Sequence, residues 1–149
     1  LAQFLADIFI NFRNNESMSK TTIKNNIYGC AMLICGMIEK ILRIIYKYNI
    51  KDISYIPDSS ITLGTTLKLK DNNTKIIFDI LGEEQLTCLR YMLHKTEKEY
   101  VGKNIRNDLA HFNGKTIQNL SEDLILELLS YLSSILTSCV IYYQKNKLN

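Results

Sequence analysis

An all-α bundle is the expected fold of this chain, and three features of its 149 residues point there. One Pro and six Gly leave few breaks at which a strand-rich fold could turn. Apolar side chains recur every three or four positions over long stretches instead of alternating. The apolar share of 46% is enough for a core, and no repeat or low-complexity block divides the chain, so a single domain over residues 1–149 is expected.

The first helix should run from Leu1 to about Asn14, with Phe4, Leu5, Ile8 and Phe12 on one side and Asn14, Asn15 and Ser17 ending it. Ser19 or Thr21 can cap a long second helix that reaches Tyr48. Its core stripe is Ile27, Ala31, Ile34, Ile38, Ile41, Leu42 and Ile45. Glu39, Lys40 and Arg43 interrupt it near the middle, where charges are expensive in lipid, so it reads as a core helix rather than a membrane span. The connection Lys51 to Asp71 follows, with Pro57, Asp58, Ser59 and Ser60. Within it Ile61, Leu63, Leu67 and Leu69 fit either a small hairpin or short helical turns near residues 58–71.

A third helical region starts near Thr74, breaks near Gly82 and resumes through Leu86, Leu89 and Leu93 to Lys95. The last helix begins at Ser121, which can cap it while Glu122 and Asp123 complement the positive end of its dipole. Its buried stripe would be Leu124, Leu128, Leu132, Ile135, Cys139 and Tyr142. The segment Leu128 to Tyr143 carries no charge, but it is shorter than a span and contains four serines and a threonine.

Eighteen Lys+Arg against fifteen Asp+Glu give a formal charge of +3, too mild for a protein that coats nucleic acid without specificity. Any contact with nucleic acid must therefore be local. Cys30, Cys35, Cys88 and Cys139 sit in apolar segments without a C-x-x-C pair, which suits reduced core thiols in a cytoplasmic protein and offers no metal site. The chain opens at Leu1 without an initiator Met or a signal-type segment, and is expected to be the C-terminal part of a longer protein.

Chemistry concentrates between Val101 and Gly114. On a helical wheel of about 100° per residue, Val101, Ile105, Leu109 and Phe112 form a core stripe. Opposite lie Lys103, Arg106, Asn107, Ala110 and His111. Asn107 and His111 are i, i+4 neighbours, Arg106 can swing toward them across the Ala110 methyl, and Asn113-Gly114 can stop the helix. A guanidinium holds a nonbridging phosphate oxygen while an imidazole takes a proton from a 2′-hydroxyl or gives one to a leaving 5′-oxygen, with no metal required. One such His per chain is thin for two proton transfers, and a twofold dimer facing two segments across one cleft would supply both. The competing structural reading pairs Arg106 with Asp108 or Glu99 and leaves His111 as a helix cap.

His94, four residues after Arg90 on another helix, reads as a partly exposed surface residue without a role. The run Lys95 to Lys103 reads as a solvated connection in which Lys98 and Lys103 can attract a phosphate backbone. Tyr46, Tyr48, Tyr142 and Tyr143 cluster near helix ends, where bases or core edges use Tyr equally well.

Arg106-Asn107-Asp108-Leu109-Ala110-His111 resembles the R-x4-6-H motif of HEPN domains, four- to five-helix modules in bacterial toxins, CRISPR effectors and antiviral proteins. The stretch from Thr62-Leu-Gly through Leu81-Gly-Glu-Glu and Leu89-Arg-Tyr-Met-Leu to the motif is more narrowly similar to the C-terminal region of bacterial DUF4209 proteins. The resemblance implies a metal-independent endoribonuclease of defence or toxin type that leaves a 2′,3′-cyclic phosphate and a 5′-hydroxyl. It implies catalytic roles for Arg106 on the phosphate, His111 in proton transfer and Asn107 in orientation. It also implies a homodimer pairing through the motif face, RNA as partner, no cofactor, and a regulatory N-terminal region or an antitoxin as further partner. The family often has Gly directly after the His, where this chain has Phe112.

Overall fold

The computed structural model describes residues 20–48, 57, 60–68, 74–94 and 102–147, with the side chains of 20–25 and 147 excepted. The described residues form six helices and no strand: α1 Lys20–Tyr48, α2 Leu63–Thr66, α3 Lys75–Leu93, α4 Ile105–Ala110, α5 Gly114–Gln118 and α6 Glu122–Lys147. The all-α expectation holds for them. The expected helix from Leu1 to Asn14 lies outside the described residues.

The long α1 is the spine. Ala31, Ile34, Ile38 and Leu42 are fully buried, as their spacing required, and α6, α4, α2 and α3 pack around them. Ile41, expected in the stripe, is only partly buried, while Cys35 and Tyr46 join the core. Among the described residues of the segment with two open readings there is no strand, and Leu63–Thr66 form the short helix α2. Thr62 caps it by accepting from the Thr65 N–H at 3.2 Å, and the Thr66 hydroxyl turns back to the Leu63 carbonyl at 2.9 Å. Local hydroxyl bonds thus outweigh the alternation of Ile61, Leu63 and Leu67, all of which are buried in one core.

α3 breaks at Gly82, as expected. Its φ of 74° and ψ of 168° suit glycine and few other residues, and they bend the helix so that Ile77 and Leu89, on opposite sides of the break, are both fully buried. The helix ends at Leu93, with His94 as C-cap in extended conformation, two residues before the expected end at Lys95.

α6 starts where the sequence placed it, with the Ser121 hydroxyl accepting from the Leu124 N–H at 3.3 Å. Ile125 replaces Leu124 at the head of the buried stripe, followed by Leu128, Leu132 and Ile135, whereas Leu124, Cys139 and Tyr142 are half-buried. The serines of α6 also have work at this interface. Gln85 on α3 donates to Ser134 Oγ at 2.6 Å and accepts from Ser138 Oγ at 3.3 Å. By length and composition Glu122–Asn146 is apolar enough to cross a membrane; Ile125, Leu128, Leu132 and Ile135 are buried in the core, while Leu126, Val140 and Ile141 are exposed. Tyr48, Tyr142 and Tyr143 pack edge-to-face at one end of the bundle, and Tyr46 is buried, so these rings are used in packing.

Candidate functional site

The motif helix is shorter than its periodicity suggested. Asn104 takes a left-handed conformation (φ 52°) that asparagine tolerates better than most residues, and α4 then runs only from Ile105 to Ala110. Ile105 and Leu109 are buried as expected. Phe112 is not: it adopts φ 53° beyond the helix end, is 71% exposed, and stacks on Tyr28 with ring centroids 5.5 Å apart. The expected Asn113-Gly114 stop is not what ends the helix: α4 ends at Ala110, Phe112 takes the left-handed turn, and Asn113 instead caps α5, which begins at Gly114, by accepting from the Lys115 N–H at 3.2 Å. The Tyr28 hydroxyl donates to the Leu109 carbonyl at 2.9 Å and fastens the end of α4 to α1.

Arg106 faces α1, and a chain of hydrogen bonds explains why. Arg106 Nε donates to Glu39 Oε2 at 2.8 Å, and Arg43 Nη2 donates to Glu39 Oε1 at 2.5 Å. Arg106 Nη1 donates to Asn107 Oδ1 at 3.0 Å, and Asn107 Nδ2 donates to Asn104 Oδ1 at 3.1 Å. Glu39 is 6% exposed, so its charge needs these partners. Two guanidiniums on one carboxylate leave one positive charge in excess. Arg43 Nε is buried without an acceptor, a cost of about 1–3 kcal/mol in general. Asp108 is not Arg106's partner, since it accepts from Thr116 at 2.6 Å and from Asn104 at 3.3 Å. Glu99 lies outside the described residues.

This network borders an open cavity of about 340 Å³. Glu39, Arg43, Arg106 and Asn107 form its polar side. Thr62, Gly64 and His94 close it from α2 and from the end of α3. The imidazole lies against Gly64: a methyl group on that Cα would stand 2.8 Å from His94 Nε2. The His94 carbonyl is approached more closely still by Gly102, where a Cβ would fall 2.1 Å away.

The structure thus brings Arg106 and Asn107 together. His111 is not among the side chains lining their cavity. It is exposed, serves as the C-cap of α4, and its backbone N–H donates to the Asn107 carbonyl at 2.9 Å. Lys103 is tied to Tyr91, by its N–H to the Tyr91 carbonyl at 2.6 Å and by its ammonium over the ring at 5.4 Å. Lys98 lies outside the described residues. His94, given no role on sequence grounds, lines the cavity. In sequence Glu39 and Arg43 read only as charges unsuited to lipid, yet a charged pair one turn apart in an apolar core helix is the available signal for a buried polar site.

Cys35, 1% exposed on α1, has its thiol pKa pushed up to about 12, mainly by burial; nearby Arg106 lowers it and Glu39 raises it. Cys88 departs from the expected core role and is exposed. No protein-family model, curated protein or solved structure matches the chain.

Proposed function

We propose that this chain is a metal-independent endoribonuclease domain of HEPN type, cytoplasmic and of bacterial defence or toxin character, that cuts single-stranded RNA to 2′,3′-cyclic phosphate and 5′-hydroxyl ends. One observation carries the reading: the motif residues Arg106 and Asn107 line an open cavity with an excess of positive charge. Arg106 stabilises the scissile phosphate, and Asn107 holds the guanidinium in orientation through Nη1. His111 moves the proton. Because it lies exposed outside the Arg106 cavity of its own chain, it acts in this reading on the cavity of a second copy across a twofold axis. RNA is the substrate, and an N-terminal region or an antitoxin is the regulatory partner.

The purified chain should cut RNA in the presence of EDTA, with Arg106→Ala and His111→Ala each reducing cutting by about a hundredfold or more. Arg106→Ala also removes a partner of Glu39, so Arg106→Lys, which keeps the charge without the planar fork, is measured beside it with helicity as control. Undiminished cutting in folded variants rejects the assignment.

A second reading has its own observation. Arg106 spends Nε and Nη1 on Glu39 and Asn107, which suits a structural bolt between α1 and α4 in a non-catalytic RNA-binding or dimerisation module. RNA that is bound by the folded chain and left intact favours it.

A further inference from the structure

The Arg106 cavity holds more chemistry for anions than the motif supplies. Arg43 comes from α1, a turn beyond Glu39, and His94 from the end of α3; neither belongs to the motif segment. Glu39 uses one oxygen on each guanidinium. Among the described residues, Arg106 Nη2 and Arg43 Nη1 make no hydrogen bond. Both Arg side chains are about one-third exposed, at 34% and 31%, so they are held firmly from behind and open in front. The volume lies in the range of about 300–1,000 Å³ found for small-molecule sites, larger than a phosphoryl group alone, with space for ester arms.

We propose that this cavity binds one phosphoryl group, with Arg43 and Arg106 as its paired cations, Glu39 as the carboxylate that positions them, and His94 as the imidazole facing the bound anion. The identity of the anion as RNA backbone rests on the ribonuclease reading, whereas phosphoryl binding itself does not. Planar guanidiniums present donors in the fork geometry that phosphate oxygens accept, and a shared carboxylate holds the two forks close at little further cost in side-chain entropy. The absence of a side chain at Gly64 lets the His94 ring sit at the cavity wall.

The chain has two histidines, so its imidazole Hε1 protons give two resonances, which His94→Gln and His111→Gln assign. The full chain is titrated at constant pH with inorganic phosphate, with a 2′-O-methyl trinucleotide that cannot be cleaved, and with chloride at matched ionic strength. The His94 resonance should move and saturate with phosphate, with the trinucleotide or with both, and not with chloride. A response to phosphate alone makes the ligand a free phosphate, and a response to the trinucleotide alone makes it a backbone phosphodiester. Arg43→Gln should weaken binding at least tenfold with helicity retained, and Arg43→Lys, which keeps a cation beside Glu39, should weaken it less. A His94 resonance that ignores both ligands, an equal response to chloride, or unchanged affinity in both Arg43 variants overturns the site. Saturable binding without RNA cutting removes the ribonuclease reading and leaves the site standing. RNA cutting without such binding does the reverse.

Discussion

Glu39 shows how one side chain can organise a site that its own helix does not announce. Its carboxylate is buried in the apolar face of α1, and the cost of taking that charge out of water is met by two guanidiniums, one from the same helix and one from α4. Cys35 lies one turn before it and offers a titration that reports on the same core. Burial pushes the folded thiol up from the ordinary 9.0 to about 12. The folded state therefore binds the proton more tightly, so this contribution to stability is complete below 9 and is lost as the pH rises toward 12. The maximal slope for one group is about 1.4 kcal/mol per pH unit. Urea unfolding of the chain and of Cys35→Ala between about pH 8 and about pH 10 should show the wild-type chain losing stability more steeply. Parallel curves would mean that the thiol titrates normally. The distinction between Arg106 and Asp108, by contrast, was invisible in sequence. Asp108 looked like the nearest acid, but the helix carries it toward Thr116 while Arg106 turns to α1.

At the level of elements, α3 and α4 are joined by a close backbone contact, and this junction sets the position of His94. Gly102 passes against the His94 carbonyl, and Lys103 donates to the Tyr91 carbonyl one step further on. Gly102→Ala should destabilise the chain by roughly 1–3 kcal/mol, because the clash is with backbone and cannot be relieved by a rotamer change. Gly36→Ala is the control. Its Cβ would meet nothing within 4 Å in the middle of α1, so it should stabilise by about 0.5–1 kcal/mol. Thermal unfolding of both variants checks the opposite signs. The helical wheel misplaced Phe112 for a reason of the same kind. It assumed that α4 continued, whereas a left-handed residue beyond Ala110 turned the ring out onto Tyr28. Element type was legible from periodicity, while the two left-handed residues flanking α4 had no periodic signature.

On the scale of the whole molecule, the separation of His111 from the Arg106 cavity becomes a statement about assembly. If the active unit is composite, Arg106→Ala and His111→Ala chains are each inactive alone. A mixture allowed to exchange partners should recover roughly one quarter of wild-type cutting, since half the pairs are mixed and each holds one intact site. No recovery from a mixture shown to exchange would place both residues in a single-chain site. The same molecule leaves Leu33 and Ile44 on α1 and Leu126, Val140 and Ile141 on α6 exposed, while the opposite stripes of both helices fill the core.

The sequence alone determined that the described residues are helical, that α1 and the middle of α6 bury defined stripes, that α3 bends at Gly82, and that Ser121 caps the last helix. These are consequences of spacing, of a glycine's backbone freedom and of a capping hydroxyl, all of which act within a few residues. Only the tertiary structure decided that Arg106 leans on Glu39, that Arg43 and His94 border the same cavity, and that His111 stands outside it. Those relations join side chains as far apart as Glu39 and Arg106, 67 positions along the chain. Local patterns record which face of a helix is apolar, but not which neighbour a polar group meets once those faces have packed.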